Sequence, residues 1–291
     1  GELTERIWAF VRTFRRARPA STGPGLGAGR IADFEMPTIS TYNSYAASLV
    51  SDYGLAIGIE SDSSVLDAAG SIRLAEQIVL VAEPHEIPAN VPRTALITRV
   101  REMAGQINEH LQTPQSVLEY LDACIDHLLG EAGLTWYFTK IRRGRSLRKE
   151  EKDGVIAELW ALADEAGVGR AGKSHTNLAA RNELAERIIA LRKDTVLEQL
   201  LDKRKVTVLA ERFLAAKRET SAMEFSDQVK YAHDIMSRPD GRILPIERSR
   251  WDAIMLDEYQ DTSDSQFQLL QLLFNGKNVM AVGDPRQSIY A

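Results

Sequence analysis

The sequence has almost no cysteine. Cys124 stands alone among 291 residues, so no disulfide framework is possible and a reducing cytoplasm suits the chain. With no second thiol to join, Cys124 reads as a small buried hydrophobe. Histidine is scarce as well: His85, His110, His127, His175 and His233 show no metal-ligand spacing and carry no assigned role. No apolar run approaches the roughly 20 residues of a membrane span, and no secretory signal is visible. Positive charge is not in excess. The net charge of −5 excludes a uniformly basic nucleic-acid coat but leaves room for local basic patches. What remains is an ordinary globular composition, 44% hydrophobic and 26% charged. That suffices for one large domain or two small ones.

Hydrophobic spacing divides the chain. Glu2 to Arg18 has helical periodicity, and Pro19 to Gly29 reads as a loop. Pro37 to Thr41 predicts a short strand, followed by a helix from Ser44 to Tyr53 that Gly54 ends. Asn43 or Ser44 is the expected cap of that helix. From about Asp67 to Thr220 the pattern is almost entirely helical. Helices are expected over Ala68–Val81, Thr94–Leu111, Gln115–Leu129, Lys149–Ala166, Asn177–Leu191 and Val196–Lys217. In the fifth, Leu178, Leu184, Ile188 and Leu191 form one apolar stripe. Lys203, Arg204 and Lys205 read as a solvated helix face.

Two features inside this helical block have competing readings. Lys140, Arg142, Arg143, Arg145, Arg148 and Lys149 form a basic run directly after Trp136, Tyr137 and Phe138. Such a run can contact a nucleic-acid backbone, or it can be a solvated loop offset by Glu150, Glu151 and Asp153. The aromatics read as core rather than as a base-stacking platform. Gly167 to Ser174 satisfies the phosphate-loop pattern G-x-x-x-x-G-K-[ST]. A working phosphate loop leaves a buried strand and opens a helix. Here Ala157 to Ala166 is a charged amphipathic helix in pattern, so the match reads as an inter-helix loop.

The last forty residues carry the chemistry. Trp251–Leu256 and Asn278–Val282 read as buried strands. The first is followed by Asp257-Glu258-Tyr259-Gln260-Asp261-Thr262, the second by Gly283-Asp284-Pro285-Arg286-Gln287-Ser288-Ile289-Tyr290. Thr262 or Ser263 could cap a helix running to Phe274, with Phe267, Leu270, Leu273 and Phe274 on its apolar face. Strand, helix and strand in this order imply a parallel crossover. Carboxylates at the carboxyl ends of parallel strands sit where open α/β sheets bind ligands. Asp257 suits Mg²⁺, which takes one or two carboxylates beside phosphates and waters. Glu258 could then polarise an attacking water, and the Gln287 amide could sense a γ-phosphate. The plainer reading is that Asp257 and Glu258 only begin a loop and cap the next helix.

The two late segments resemble motifs II (DExQDT) and III (VGDxxQSIY) of superfamily 1A DNA helicases of the UvrD/Rep type. Weaker matches lie upstream, in order. Gly1 to Ile7 is similar to the tail of motif Ia. Thr38 to Ala46 is similar to motif Ib, with Asn43 where the family usually has His. Met223 to Asp227 is similar to the turn that leads back from an inserted subdomain. The wording around Tyr42–Tyr45 and Leu159–Ala163 is similar to actinobacterial members, including helicase–nuclease subunits.

The resemblance implies an α/β fold. A partial RecA-like parallel sheet, subdomain 1A, would occupy residues 1–66 and 223–291. A large all-helical insertion, subdomain 1B, would occupy 67–222. It implies ATP and Mg²⁺ as cofactors, with Asp257 on the metal, Glu258 as base and Gln287 coupling the γ-phosphate to DNA. Thr41, Tyr42, Asn43, Ser44 and Tyr290 would contact single-stranded DNA, and Arg142, Arg143 and Arg145 would contact DNA from the insertion. Expected partners are single-stranded DNA, its junction with duplex, and a second helicase or nuclease subunit, with no membrane. The setting would be the cytoplasm, at the nucleoid. The family's phosphate-binding loop and second motor domain match nothing in these residues, so the chain reads as a fragment inactive alone. The parent would move 3′ to 5′ and unwind DNA in repair or recombination. The alternative is a non-catalytic, helicase-like DNA-binding or scaffold subunit.

Overall fold

The computed structural model describes residues 38–59, 64–144, 148–168, 177–284 and 286. The chain forms two compact units, Gly1–Tyr45 and Ala46–Ala291. The expectations for Glu2–Arg18 and Pro19–Gly29 lie outside the described residues.

Helix α1 spans Tyr42–Tyr53. Its cap is Thr41, not Asn43 or Ser44. The Thr41 hydroxyl accepts the Ser44 amide at 3.1 Å and donates to Ser44 Oγ at 2.9 Å. Thr38–Thr41 is irregular rather than a strand. Nothing among the described residues pairs with it, and a β-prone segment without a partner gains no ladder. After Tyr53 the chain tightens into a 3₁₀ turn, Gly54–Ile57, closed by Gly58 at φ 77°.

Two short parallel strands, β1 (Ser64–Val65) and β2 (Ala222–Met223), pair in the register Ser64↔Ala222 and Val65↔Met223. Among the described residues, seven α-helices lie between them: α2 (Ala68–Val81), α3 (Arg93–Glu109), α4 (Pro114–Leu129), α5 (Glu131–Arg143), α6 (Lys149–Ala166), α7 (Leu178–Arg192) and α8 (Thr195–Glu219). All six expected helices are present. Four of the six starts follow from side-chain caps: Asp67, Thr113, Asn177 and Asp194 each accept the amide three residues on. Helix α5 is not among those expected. Its apolar stripe, Leu134, Tyr137, Phe138 and Ile141, is fully buried, and tertiary burial overrides the weak helix propensity of its aromatic residues.

Among the described residues, two apolar cores are strung along α8. The first gathers Leu129, Phe138, Leu159, Leu184 and Ile188 against Leu197 and Leu201. The second gathers Val79, Leu96 and Val100 against Leu209 and Phe213. Tyr137 and Phe138 belong to the first core, whereas Trp136 is half exposed, with Lys140 Nζ 5.4 Å from its ring centroid. Three expectations need correction. Cys124 is only half-buried. Leu178 is exposed, because it is the first residue of α7 and precedes the packed turns. Arg204 turns inward, its Nε 2.6 Å from Asp122 Oδ1, because Asp122 on α4 offers a charge partner.

Helices α9 (Phe225–Met236) and α10 (Ile243–Ser249) lead to β3 (Ala253–Leu256), α11 (Asp264–Phe274) and β4 (Asn278–Ala281). Ser263 caps α11 in a reciprocal box with Gln266. Strands β3 and β4 are parallel and adjacent, in the register Ala253↔Asn278 to Leu256↔Ala281. They are not the buried strands expected. Only Ile254 is buried, while Met255 is 79% and Met280 57% exposed. Helix α11 packs chiefly on α9, so Leu269, Leu270, Leu273 and Phe274 are buried and β4 is left uncovered. Phe267, expected on that apolar face, is instead exposed.

Candidate functional site

The β3–α11–β4 unit sets two loops side by side at the carboxyl ends of its strands. The ladder continues past both strand ends: Val282 N–H donates to Leu256 O at 2.8 Å and Tyr259 N–H to Val282 O at 3.0 Å. Asp257 and Glu258 leave β3 at that point with both side chains exposed. Glu258 adopts φ 51° and ψ 39°. A left-handed backbone in a residue other than glycine costs about 1–3 kcal/mol and is concentrated at functional sites. The Glu258 amide donates to Asp257 Oδ1 at 3.0 Å.

Gln260 joins the two loops. Its Nε2 donates to Glu258 Oε2 at 2.7 Å, and its Oε1 accepts the Asp284 amide at 3.0 Å. Gly283 makes this approach possible. A Cβ there would fall 2.3 Å from Gln260 Oε1 and 3.0 Å from Gln260 N. Asp284 Oδ1 in turn accepts the Arg286 amide at 2.9 Å. Residue types alone point to Asp257 and Glu258 here, but not to Gln260 and Gly283. The signal for these lies in the spacing, a Gln two residues after the acidic pair and a Gly two residues past the second strand.

The arrangement fits magnesium. No group of three or more His, Cys, Asp or Glu side chains gathers among the described residues, so no all-protein cage exists there. Mg²⁺ needs none: it binds through one or two carboxylates plus phosphates and keeps several waters. An exposed carboxylate at a strand end, Asp257, is the matching donor.

Other candidates fall on other elements. Thr41, Asn43 and Ser44 are exposed and Tyr42 is half-buried, all at the start of α1. Arg142 and Arg143 are exposed in the last turn of α5, where positive charge suits the helix dipole. Gln287, Tyr290 and Arg145 lie outside the described residues. The phosphate-loop-like Gly167–Ser174 is preceded by helix α6, as its pattern implies, and Gly167 ends that helix at φ 73°. Val168 packs into the first core, and residues 169–174 lie outside the described residues. A helix rather than a strand leads in, so the geometry that aims amides at phosphates is missing on that side.

A family model for the UvrD/REP helicase N-terminal domain matches residues 1–291. The chain belongs to this family. Similar relatives are helicase–nuclease subunits. An ATP-dependent helicase/nuclease subunit of Lactococcus lactis subsp. lactis (strain IL1403) is 46% identical over 79 residues, which is 27% of this chain and 6% of that protein. The exonuclease/helicase subunit RexA of Lactococcus lactis subsp. cremoris (strain MG1363) is 46% identical over the same length, with the same coverage. An ATP-dependent helicase/nuclease subunit of Streptococcus pyogenes serotype M5 (strain Manfredo) is 42% identical over 107 residues, 36% of this chain and 9% of that protein. The matched segments therefore span less than a tenth of these relatives' own length. The paired loops after β3 and β4 are the segments whose sequences resemble motifs II and III of the UvrD-like family. No described helix is long and apolar enough to cross a membrane.

Proposed function

We propose that the full-length protein is an ATP-dependent DNA helicase and that this chain carries the magnesium and water half of its ATP site. The observation that carries the reading is the β3–α11–β4 unit, in which Asp257, Glu258 and the Gly283–Asp284 backbone converge through Gln260. Asp257 would hold Mg²⁺, which supplies positive charge to the phosphates. Glu258 presents an exposed carboxylate that accepts the proton of the attacking water. Gln287 would follow the γ-phosphate, and Tyr290 would follow DNA. An exposed Glu258 carboxylate, which the fold itself does not need, favours this reading over a scaffold that no longer turns over ATP.

Residues 1–66 and 223–291 serve as subdomain 1A and 67–222 as the helical insertion 1B, with the β1–β2 pair at the crossing. Thr41, Tyr42, Asn43 and Ser44 contact the sugar-phosphate of single-stranded DNA, where hydroxyls and helix N-terminal amides suit phosphate oxygens. Arg142, Arg143 and Arg145 contact DNA near the junction with duplex. Movement is 3′ to 5′, in cytoplasmic DNA repair or recombination, beside a second helicase or nuclease subunit. The phosphate-binding loop and the second motor domain come from the rest of the protein, so this chain alone does not turn over ATP.

Glu258→Gln in the full-length protein tests the reading. Turnover is expected to fall about 100-fold or more, with ATP binding retained. Near-normal turnover would overturn the assignment of the base.

A further inference from the structure

Gln260 has no part in the chemistry above, yet its amide touches both loops. We infer that Gln260 is a positioning residue that ties the orientation of the Glu258 carboxylate to the backbone following β4. This rests on Glu258 acting as the base.

The direction of the bridge is fixed by chemistry. An ionised carboxylate only accepts and a backbone N–H only donates. The Gln260 amide therefore must face Nε2 to Glu258 and Oε1 to Asp284, as observed at 2.7 and 3.0 Å. Rotating the amide by half a turn would break both bonds. The bridge also has little slack. Tyr259 N–H is bonded to Val282 O at 3.0 Å, which sets the spacing of the loops. Gly283 is absent from the positive-φ residues, so its backbone conformation does not demand glycine. The approach of Gln260 does, because an added Cβ would lie 2.3 Å from Oε1.

A displacement of residues 283 and 284 by about 1 Å, a scale that already costs catalysis, either breaks the Asp284 bond or drags the amide with it. In both cases the donor to Glu258 moves. The segment after β4 continues into Gln287 and Tyr290, which follow phosphate and DNA in the proposed scheme. Gln260 thus makes the aim of the base depend on how that segment is held.

The test measures steady-state ATP turnover by the full-length protein, with and without single-stranded DNA. Its variants are Gln260→Met, Gln260→Glu and Gly283→Ala, with Glu258→Gln in parallel. Met removes both bonds. Glu keeps the acceptor for Asp284 but sets a second carboxylate beside Glu258. Ala pushes the amide from the opposite loop. Each of the three is expected to lower kcat about 10- to 100-fold, with KM for ATP changed by less than about threefold. Gln260→Glu should be impaired at least as much as Gln260→Met. If both Gln260 variants keep kcat within about twofold of the parent while Glu258→Gln is inactive, the inference fails and the reading of the base stands. A loss carried by KM instead of kcat would also overturn it, because it would reduce Gln260 to packing. Normal turnover by Glu258→Gln would instead remove the reading on which the inference rests.

Discussion

Lys217 Nζ lies 2.8 and 2.7 Å from the two carboxylate oxygens of Asp227, and the side chains are 1% and 0% exposed. The pair closes a network at the end of α8. Lys217 also reaches Glu224 Oε2 at 2.9 Å, Asn108 Nδ2 donates to Asp227 Oδ1 at 2.6 Å, and Ser71 Oγ donates to Glu224 Oε1 at 2.6 Å. Helices α2, α3 and α8 are thereby tied to the first turn of α9, where Glu224 and Asp227 form a reciprocal cap. Burial pushes the Glu224 carboxyl up, and the bonds from Ser71 and Lys217 more than offset it, holding it below its ordinary range.

Removing one partner of that pair should be severe. Lys217→Met leaves the Asp227 charge buried without its main counter-charge, and the loss is expected at about 3–5 kcal/mol. Asp227→Asn added to Lys217→Met should recover part of it, because the buried charge is then gone. Urea denaturation followed by circular dichroism reads both. Equal stability of single and double variants would mean that the charge is not what Lys217 compensates.

Arg181 is a second buried cation, fully shielded on α7, with Nη2 2.6 Å from Asp122 and Nη1 3.1 Å from Asp126 on α4. Burial raises the Asp122 carboxyl, but the bonds from Arg204 and Arg181 outweigh it and hold it low. Arg181→Met should cost about 3 kcal/mol, the low end for breaking a buried pair, because Arg204 still serves Asp122 and Asp126 can hydrate. Arg181→Lys should recover little, since a single ammonium cannot reproduce two diverging bonds. Full recovery by Lys would show that charge alone matters there.

Glu86 carries a pH prediction. Its carboxylate is bonded by Arg212 Nη1 at 2.9 Å, by Arg212 Nη2 and by the Glu83 amide at 2.9 Å. Arg212 first, then that amide, hold its pKa down to about 2. The folded value lies below the unfolded one of roughly 4.3, so the ionised form favours folding. This stabilisation is fully present above the unfolded value and is lost as pH falls toward the folded one. Glu86→Gln should therefore melt earlier than the parent at pH 6, and the gap should close between about pH 4.3 and pH 2. A gap that stays constant over that range would mean that the bridge contributes no net charge energy.

Much of this is legible in the sequence, and the misses have physical causes. The helical block shows because its caps and apolar spacing agree, as at Asp67 before Ala68–Val81. Helix α5 is hidden because its neighbours in sequence are basic, while its stripe from Leu134 to Ile141 gains only from a tertiary core. Strand burial is misread because Met255 and Val279 have strand-like composition whichever element covers them, and α11 packs on α9 instead. At the site, Asp257 and Glu258 are readable as residue types. The Gln260 bridge is not, since it needs the register that sets Leu256 beside Ala281.

Arg142 and Arg143 carry the last prediction. Both are exposed in the final turn of α5. At that helix end the Gly144 amide serves Lys140 O and Ile141 O, and Lys152 Nζ lies 3.2 Å from Arg142 O and 2.7 Å from Gly144 O. Neither guanidinium is therefore needed to cap the helix, and replacing both by Gln should change stability by no more than about 0.5 kcal/mol. If both contact duplex phosphates at a junction, the double variant of the full-length protein should lose about 1.8 from the slope of log affinity against log salt. The slope for single strands should stay unchanged. A drop of about 1.4 on single strands instead would place the contacts on the unpaired track. Unchanged slopes on both would make the basic run a solvated helix end, which Glu150 and Glu151 in the first turn of α6 are placed to offset.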